Sequence, residues 1–237
     1  MTTGRIRYCS LLGFVCVGLV MTLWGPAPAQ AQDTVFSGPQ VGEKLSSFEI
    51  LIINGDTDGT RVDPILLAEG KPTLMVFVHQ VTRPGMALTR AITQYAAEQH
   101  EHGVRSTVVW LDDDQAAAEA FLRRAAASLS LVVPVGVSVD GGEGPGAYGL
   151  NRNVELTVLV AKENLVTANF ALVQPSLTEA SKIAGAIATL IDQIAPNQKQ
   201  LEAFAYPQGQ MMARGDKRGP VERQRSASEN RAPNTDQ

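Results

Sequence analysis

Thiol sulfur is nearly absent from this chain. Of 237 residues only Cys9 and Cys16 are cysteines, and nothing after Cys16 carries a thiol. A chain of residues 17–237 therefore has no disulfide, thiolate nucleophile or thiolate-held metal open to it. Histidine is also sparse, with only His79, His100 and His102. The one long apolar run covers residues 8–24, at the extreme N-terminus. Basic charge is in deficit, with 20 Lys and Arg against 24 Asp and Glu.

The N-terminus reads as an export leader. Arg5 and Arg7 precede the apolar run, Gly25-Pro26 breaks it, and Ala29-Gln30-Ala31 forms a small-x-small cleavage site. Residues 1–31 are expected to be a signal peptide, with the mature chain starting at Gln32 and residing in the periplasm or the medium. The alternative is a membrane anchor through residues 8–24, since the run nearly reaches the roughly 18–20 residues that span a bilayer. Cys16 follows Gly13-Phe14-Val15, without the small residue a lipoprotein signal places before its cysteine. Loss of the leader removes both cysteines and two arginines, moving the formal charge from -4 to -6. Residues 32–195 carry net -8 and residues 196–237 net +2. An acidic body of this kind argues against a nucleic-acid groove. No membrane contact beyond the leader is expected.

Residues 73–78 (TLMVFV) form a short apolar run opened by Lys71-Pro72, the pattern of a strand buried on both faces. A helix follows. Leu88, Ile92, Tyr95 and Ala96 share one face, and Arg90, Thr93, Gln94 and Glu98 are placed on the solvent face. Residues 48–53 read as an edge strand, 104–111 as a second strand, 116–128 as a helix with Phe121 and Leu122 toward the core, and 131–139 as a further strand in which Pro134 marks an edge position or a strand start. Residues 154–160 and 165–172 flank a tight turn at Ala161-Lys162-Glu163-Asn164. Residues 176–194 read as a closing helix with a capping box, Ser176 and Glu179, and a buried stripe of Ile183, Ile187, Leu190, Ile191 and Ile194. Alternating strands and helices imply an α/β domain over residues 32–195, with a mixed sheet covered on both faces. Residues 196–237, rich in Pro, Gly, Gln and Arg, read as a polar, disordered tail.

The segment GKPTLMVFVHQVTRPGMALTRAITQYA, residues 70–96, resembles the active-site unit of the thioredoxin-like redoxins, which include thioredoxins, thiol oxidoreductases and peroxiredoxins. The turn formers Asn54, Gly55, Asp58 and Gly59 upstream, and Tyr148-Gly149-Leu150 before the 154–160 strand, extend the likeness over residues 41–194. It implies a three-layer sandwich with a central mixed sheet flanked by helices on both faces. It also places Thr82-Arg83-Pro84-Gly85 where a thioredoxin carries Cys-x-x-Cys, and Leu156, beside Thr157, where the family has a cis-proline. The peroxidatic cysteine of a peroxiredoxin is missing too. The scaffold looks retained and the thiol chemistry lost, so a redox-inactive binding or scaffold module is expected. The alternative is a redoxin-type oxidoreductase that borrows a partner thiol or uses a cysteine-free site at His79 and Thr82.

His79, Gln80, Thr82 and Arg83 form the candidate polar site, since a histidine at a strand end can serve as base or ligand. The same turn, with Met86, together with Glu155, Leu156 and Thr157 and the loop 140–146, is the expected recognition surface for a protein partner in the envelope or medium. No cofactor and no metal are expected. Asp56 and Asp58 lack the remainder of a calcium loop. Asp112, Asp113 and Asp114 suit a helix N-terminus. His100 and His102 converge only if the helix frays before Gly103. The glycines of 140–146 lack the spacing of a phosphate cradle, so that loop reads as a flexible connection.

Overall fold

The computed structural model describes residues 35–55 and 57–206. The leader, both cysteines, Asp56 and residues 207–237 lie outside the described residues.

The fold is built outward from β3 (Thr73–Val78), every residue of which is buried. Leu74, Val76 and Val78 face one core and Met75 and Phe77 the other, as strand alternation requires. β3 pairs parallel to β4 (Arg105–Trp110) and antiparallel to β6 (Leu156–Lys162). β4 continues parallel into β5 (Val135–Ser138), and β1 (Ile50–Ile52) closes antiparallel against β5, with the two-residue β2 (Arg61–Val62) outside it. β6 returns as β7 (Leu165–Leu172) through Glu163 and Asn164, both at positive φ, the backbone of a tight two-residue hairpin. The seven strands are ordered β2-β1-β5-β4-β3-β6-β7. β1 is therefore interior, not the expected edge, because β2 pairs along its outer side. β5 starts immediately after Pro134.

One face is covered by α2 (Arg83–Glu98), α3 (Gln115–Leu129) and α4 (Ala180–Leu190), whose apolar residues join the first core. The other carries α1 (Pro64–Ala68), Leu45, Phe48 and a 3-10 turn at Gly146–Tyr148. There Phe48, Phe77 and Tyr148 pack with ring centroids 5.3–5.9 Å apart. Asp114 caps α3 through the Ala117 amide, the structural role expected of the acidic triplet. Phe121 is 36% exposed and lies against Trp110 at the surface, so only Leu122 of the expected pair enters the core.

Two boundaries move. The capping box of Ser176 and Glu179 forms, but over a 3-10 turn, and α4 stops at Leu190, leaving Ile194 94% exposed. The expected tail from 196 begins with a helix, α5 (Gln198–Ala205), capped by Asn197 and anchored by buried Leu201 and Ala205. It packs on α2, where Arg90 Nε donates to the Ala205 carbonyl at 2.9 Å. Domain structure thus runs past 195. α5 covers a face of α2 read as solvent-exposed, and Thr93 is buried there with Thr89. Each hydroxyl bonds a carbonyl four residues earlier, at 2.7 and 2.9 Å, which leaves the methyl groups free to pack.

The segment 37–45 straps the far edge of the sheet. Gly42 N donates to Val166 O, Val166 N to Glu43 O, and Leu45 N to Asn164 O, at 2.8–2.9 Å. Asn169 Nδ2 donates to the Ser37 and Pro39 carbonyls, both at 2.8 Å.

Candidate functional site

The parallel strands β3, β4 and β5 end together, and crevices outside such strand ends are where α/β folds place ligands. At the end of β3 the His79 and Gln80 amides both donate to the Glu155 carbonyl, at 3.0 and 3.2 Å. Register pairs Val78 with Leu156 and Phe77 with Thr157. The expected site residues His79, Gln80, Thr82, Arg83, Pro84, Gly85, Glu155, Leu156 and Thr157 are thus brought to one place from two distant stretches. The peptide bonds of the described residues, that at Leu156 included, are all trans.

Thr82 is the N-cap of α2. Its Oγ1 accepts from the Gly85 amide at 3.1 Å and donates to Glu155 Oε2 at 2.6 Å. The hydroxyl is thereby committed on both sides. A Cβ at Gly85 would lie 2.9 Å from Thr82 Oγ1 and 3.3 Å from Pro175 Cγ, too close for a side chain without movement. Arg83 and Pro84 are exposed.

His79 points elsewhere. Its Nε2 lies 3.0 Å from Thr157 Oγ1, which lies 2.5 Å from Ser37 Oγ, and Ser37 Oγ accepts the Asn151 amide at 3.0 Å. Nδ1 is buried without a partner among the described residues. Burial pushes the His79 pKa down from 6.5 to about 4, so the ring is neutral at pH 7. His79 and Thr82 thus bond to different partners, Thr157 and Glu155 respectively.

Three expected contact residues are withdrawn from the surface. Met86 is 5% exposed, and Leu156 and Thr157 are fully buried. Met86 faces inward because the first turn of α2 already lies on the sheet, so it packs in the core rather than at the rim. Of the other expected contact residues, Gln80 and Arg83 keep exposed side chains and Glu155 is half-buried, and around them stand neighbours that the sequence places in other roles.

Those neighbours line a cleft of about 260 Å³ formed by His79, Gln80, Leu111, Asp112, Asp113, Gly142 and Arg152. Arg152 grips Asp113 at 2.9 and 3.3 Å and stands 3.6 Å from Glu143. The Arg152 hydrogen bond, followed by that of the Gly142 amide, holds the Asp113 carboxyl below its ordinary range. Asp113 was expected only as a helix-end acid, and Arg152 and Asn151 sit in a loop without a motif. Nothing in local pattern joins them. The loop 140–146, read as a flexible connection, folds into a 3-10 turn at Gly141–Glu143, with Gly144 and Pro145 buried. Its Gly142 amide is already given to Asp113 Oδ1. Elsewhere, Asp58 is paired with Arg123 at 2.6 Å. His100 and His102 occupy a 3-10 turn after α2. Among the described residues no group of three or more His, Cys, Asp or Glu converges as a metal site, and no helix is long and apolar enough to cross a membrane.

No family model matches the chain, and no curated protein matches it. Among solved structures it is similar to a putative thiol:disulfide interchange protein DsbE from Chlorobium tepidum, with 18% identity, TM-score 0.50, and 67% of this chain covering 99% of that one. It is also similar to an uncharacterized conserved protein from Geobacillus kaustophilus, with 12% identity, TM-score 0.51, and coverage of 68% and 89%. The fold is thioredoxin-like. At these identities the likeness is one of architecture. In the thioredoxin-like domain of this chain, the β3–α2 junction carries a hydroxyl, a guanidinium, a pyrrolidine ring and a glycine at residues 82–85.

Proposed function

We propose that this protein is an exported thioredoxin-like module that has given up thiol chemistry and works by binding a protein partner in the envelope or medium. The observation that carries the reading is the state of the β3–α2 junction. The Thr82 hydroxyl is spent on capping α2 and on Glu155, and a side chain at Gly85 would have to displace Thr82 Oγ1 and Pro175. The absence of cysteine after Cys16 agrees with it. The leader pattern of residues 1–31 supports export. The partner surface is the rim of Gln80, Arg83, Asp113 and Arg152, which mixes both charges around a partly apolar floor and suits a polar protein epitope better than a small apolar ligand.

The test has two arms. Insulin reduction and hydrogen peroxide consumption are measured for the wild type and for C9S/C16S, with no turnover above buffer expected in either. A photo-crosslinking residue replacing Gln80 is expected to capture a discrete partner in envelope extracts of the source cells, and the same residue replacing Leu66 is not. Capture is expected to fall in R83E/R152E, both exposed positions. Turnover that survives C9S/C16S, or equal capture from Gln80 and Leu66, refutes the proposal.

A further inference from the structure

At the opposite pole of the sheet lies a larger cavity, about 600 Å³, unrelated to the β3–α2 junction. It exists because β5 is short. β4 begins at Arg105, but its pairing with β5 begins only at Val108 opposite Val135, just after Pro134, which has no N–H to extend the ladder. The first three residues of β4 therefore have no strand on that side. Arg105 N bonds Pro72 O toward β3, and Val108 N bonds Pro134 O on the other side. By alternation the Ser106 N–H and C=O turn into the gap. The lining comes from both layers, with Ala96 and Ala97 of α2 on one side of the sheet and Leu67 and Ala68 of α1 on the other. The opening thus passes through the sheet plane.

The chemistry of this slot is one-sided. Its wall is mainly aliphatic, while its polar residues include Arg105, His100, Ser106 and Thr107, and no acid lines it among the described residues. Arg105 has no carboxylate within ion-pair distance among those residues; its Nη1 donates only to the Val104 carbonyl, at 3.2 Å. Pockets of this volume, apolar with a few convergent polar groups, bury most of a small ligand. Arg105 stands close enough to Glu69 to help lower its carboxyl but forms no ion pair among the described residues, and a guanidinium in that state at such a mouth selects a carboxylate. We propose that the slot binds a medium-length apolar monocarboxylate, with the alkyl body between α1 and α2 and the carboxylate on Arg105.

Decanoate is the probe, with decanol and decyltrimethylammonium as chain-matched controls, titrated calorimetrically into the full-length protein. Expected are saturable 1:1 binding of decanoate, about tenfold weaker binding of decanol, and about tenfold weaker decanoate binding to R105Q with decanol unchanged. Nuclear Overhauser contacts from decanoate methylenes to the Ala97 and Val133 methyls of the wild type locate the site without relying on a variant. Absence of saturable decanoate binding, equal affinity for acid and alcohol, an unchanged R105Q, or contacts outside the slot would each overturn the proposal.

Discussion

Lowering the pH from 7 to 5 should unfold this protein more readily, and His79 should be the main cause. In the folded state its pKa sits at about 4, against 6.5 for the free side chain. Between those values the unfolded chain takes up a proton that the native ring refuses, so stability is full above about pH 7 and falls as the pH drops. Below about pH 4 the loss from this group is complete. The gap corresponds to a ceiling of about 3 kcal/mol. Water reaches part of the ring, so roughly half of that is expected, with about 1 kcal/mol already lost at pH 5. The carboxyls of Asp58, Glu69 and Asp113, lowered by ion pairing, contribute in the opposite range: their stabilisation is present above 3.8 to 4.5 and fades below. The interval from pH 5 to 7 therefore isolates the histidine. Urea unfolding followed by circular dichroism, run on the wild type and on His79→Gln at pH 7 and pH 5, reads the effect directly. The glutamine variant should show the shallower pH dependence by about 1 kcal/mol. Parallel losses in the two proteins would refute the argument from burial.

Thr82→Ala should cost about 1 kcal/mol by removing the cap of α2, and Thr82→Ser should restore most of it; urea midpoints decide, and a silent alanine variant would mean that the hydroxyl does not hold the helix end. Leu201→Ala should destabilise by about 2 kcal/mol, the low end for a buried leucine because α5 can shift. Hydrogen exchange should then speed up in residues 198–205 while β3 stays protected.

Much of this architecture could be read from residues alone. The unbroken apolar run of β3, the tight Glu163-Asn164 turn and the acids before α3 each have one good structural solution, and the chain adopts it. The failures have physical causes. Thr93 looks polar in a sequence, yet with its hydroxyl bonded to its own helix it behaves as a methyl-bearing core residue, which hid both the second buried face of α2 and the helix that covers it. α5 has only Leu201 and Ala205 as deep anchors, too few to make a periodic stripe. Met86 looked available because it adjoins an exposed turn, but the helix lies down on the sheet within its first turn. At the site, the β3–α2 junction was legible because its residues are contiguous. The Ser37–Thr157–His79 chain and the Asp113–Arg152 clasp join residues 120, 78 and 39 positions apart, beyond the reach of any local pattern.

The strap of residues 37–45 bears on how copies of this molecule behave toward one another. A sheet rim with free amides and carbonyls invites lateral growth by a neighbour. By engaging residues 164–166 and 169, this short stretch stops the rim from acting as a template. Trimming it would leave the hairpin intact and convert a protein that ends its own sheet into one that can extend it, with oligomers or fibrils as the visible sign.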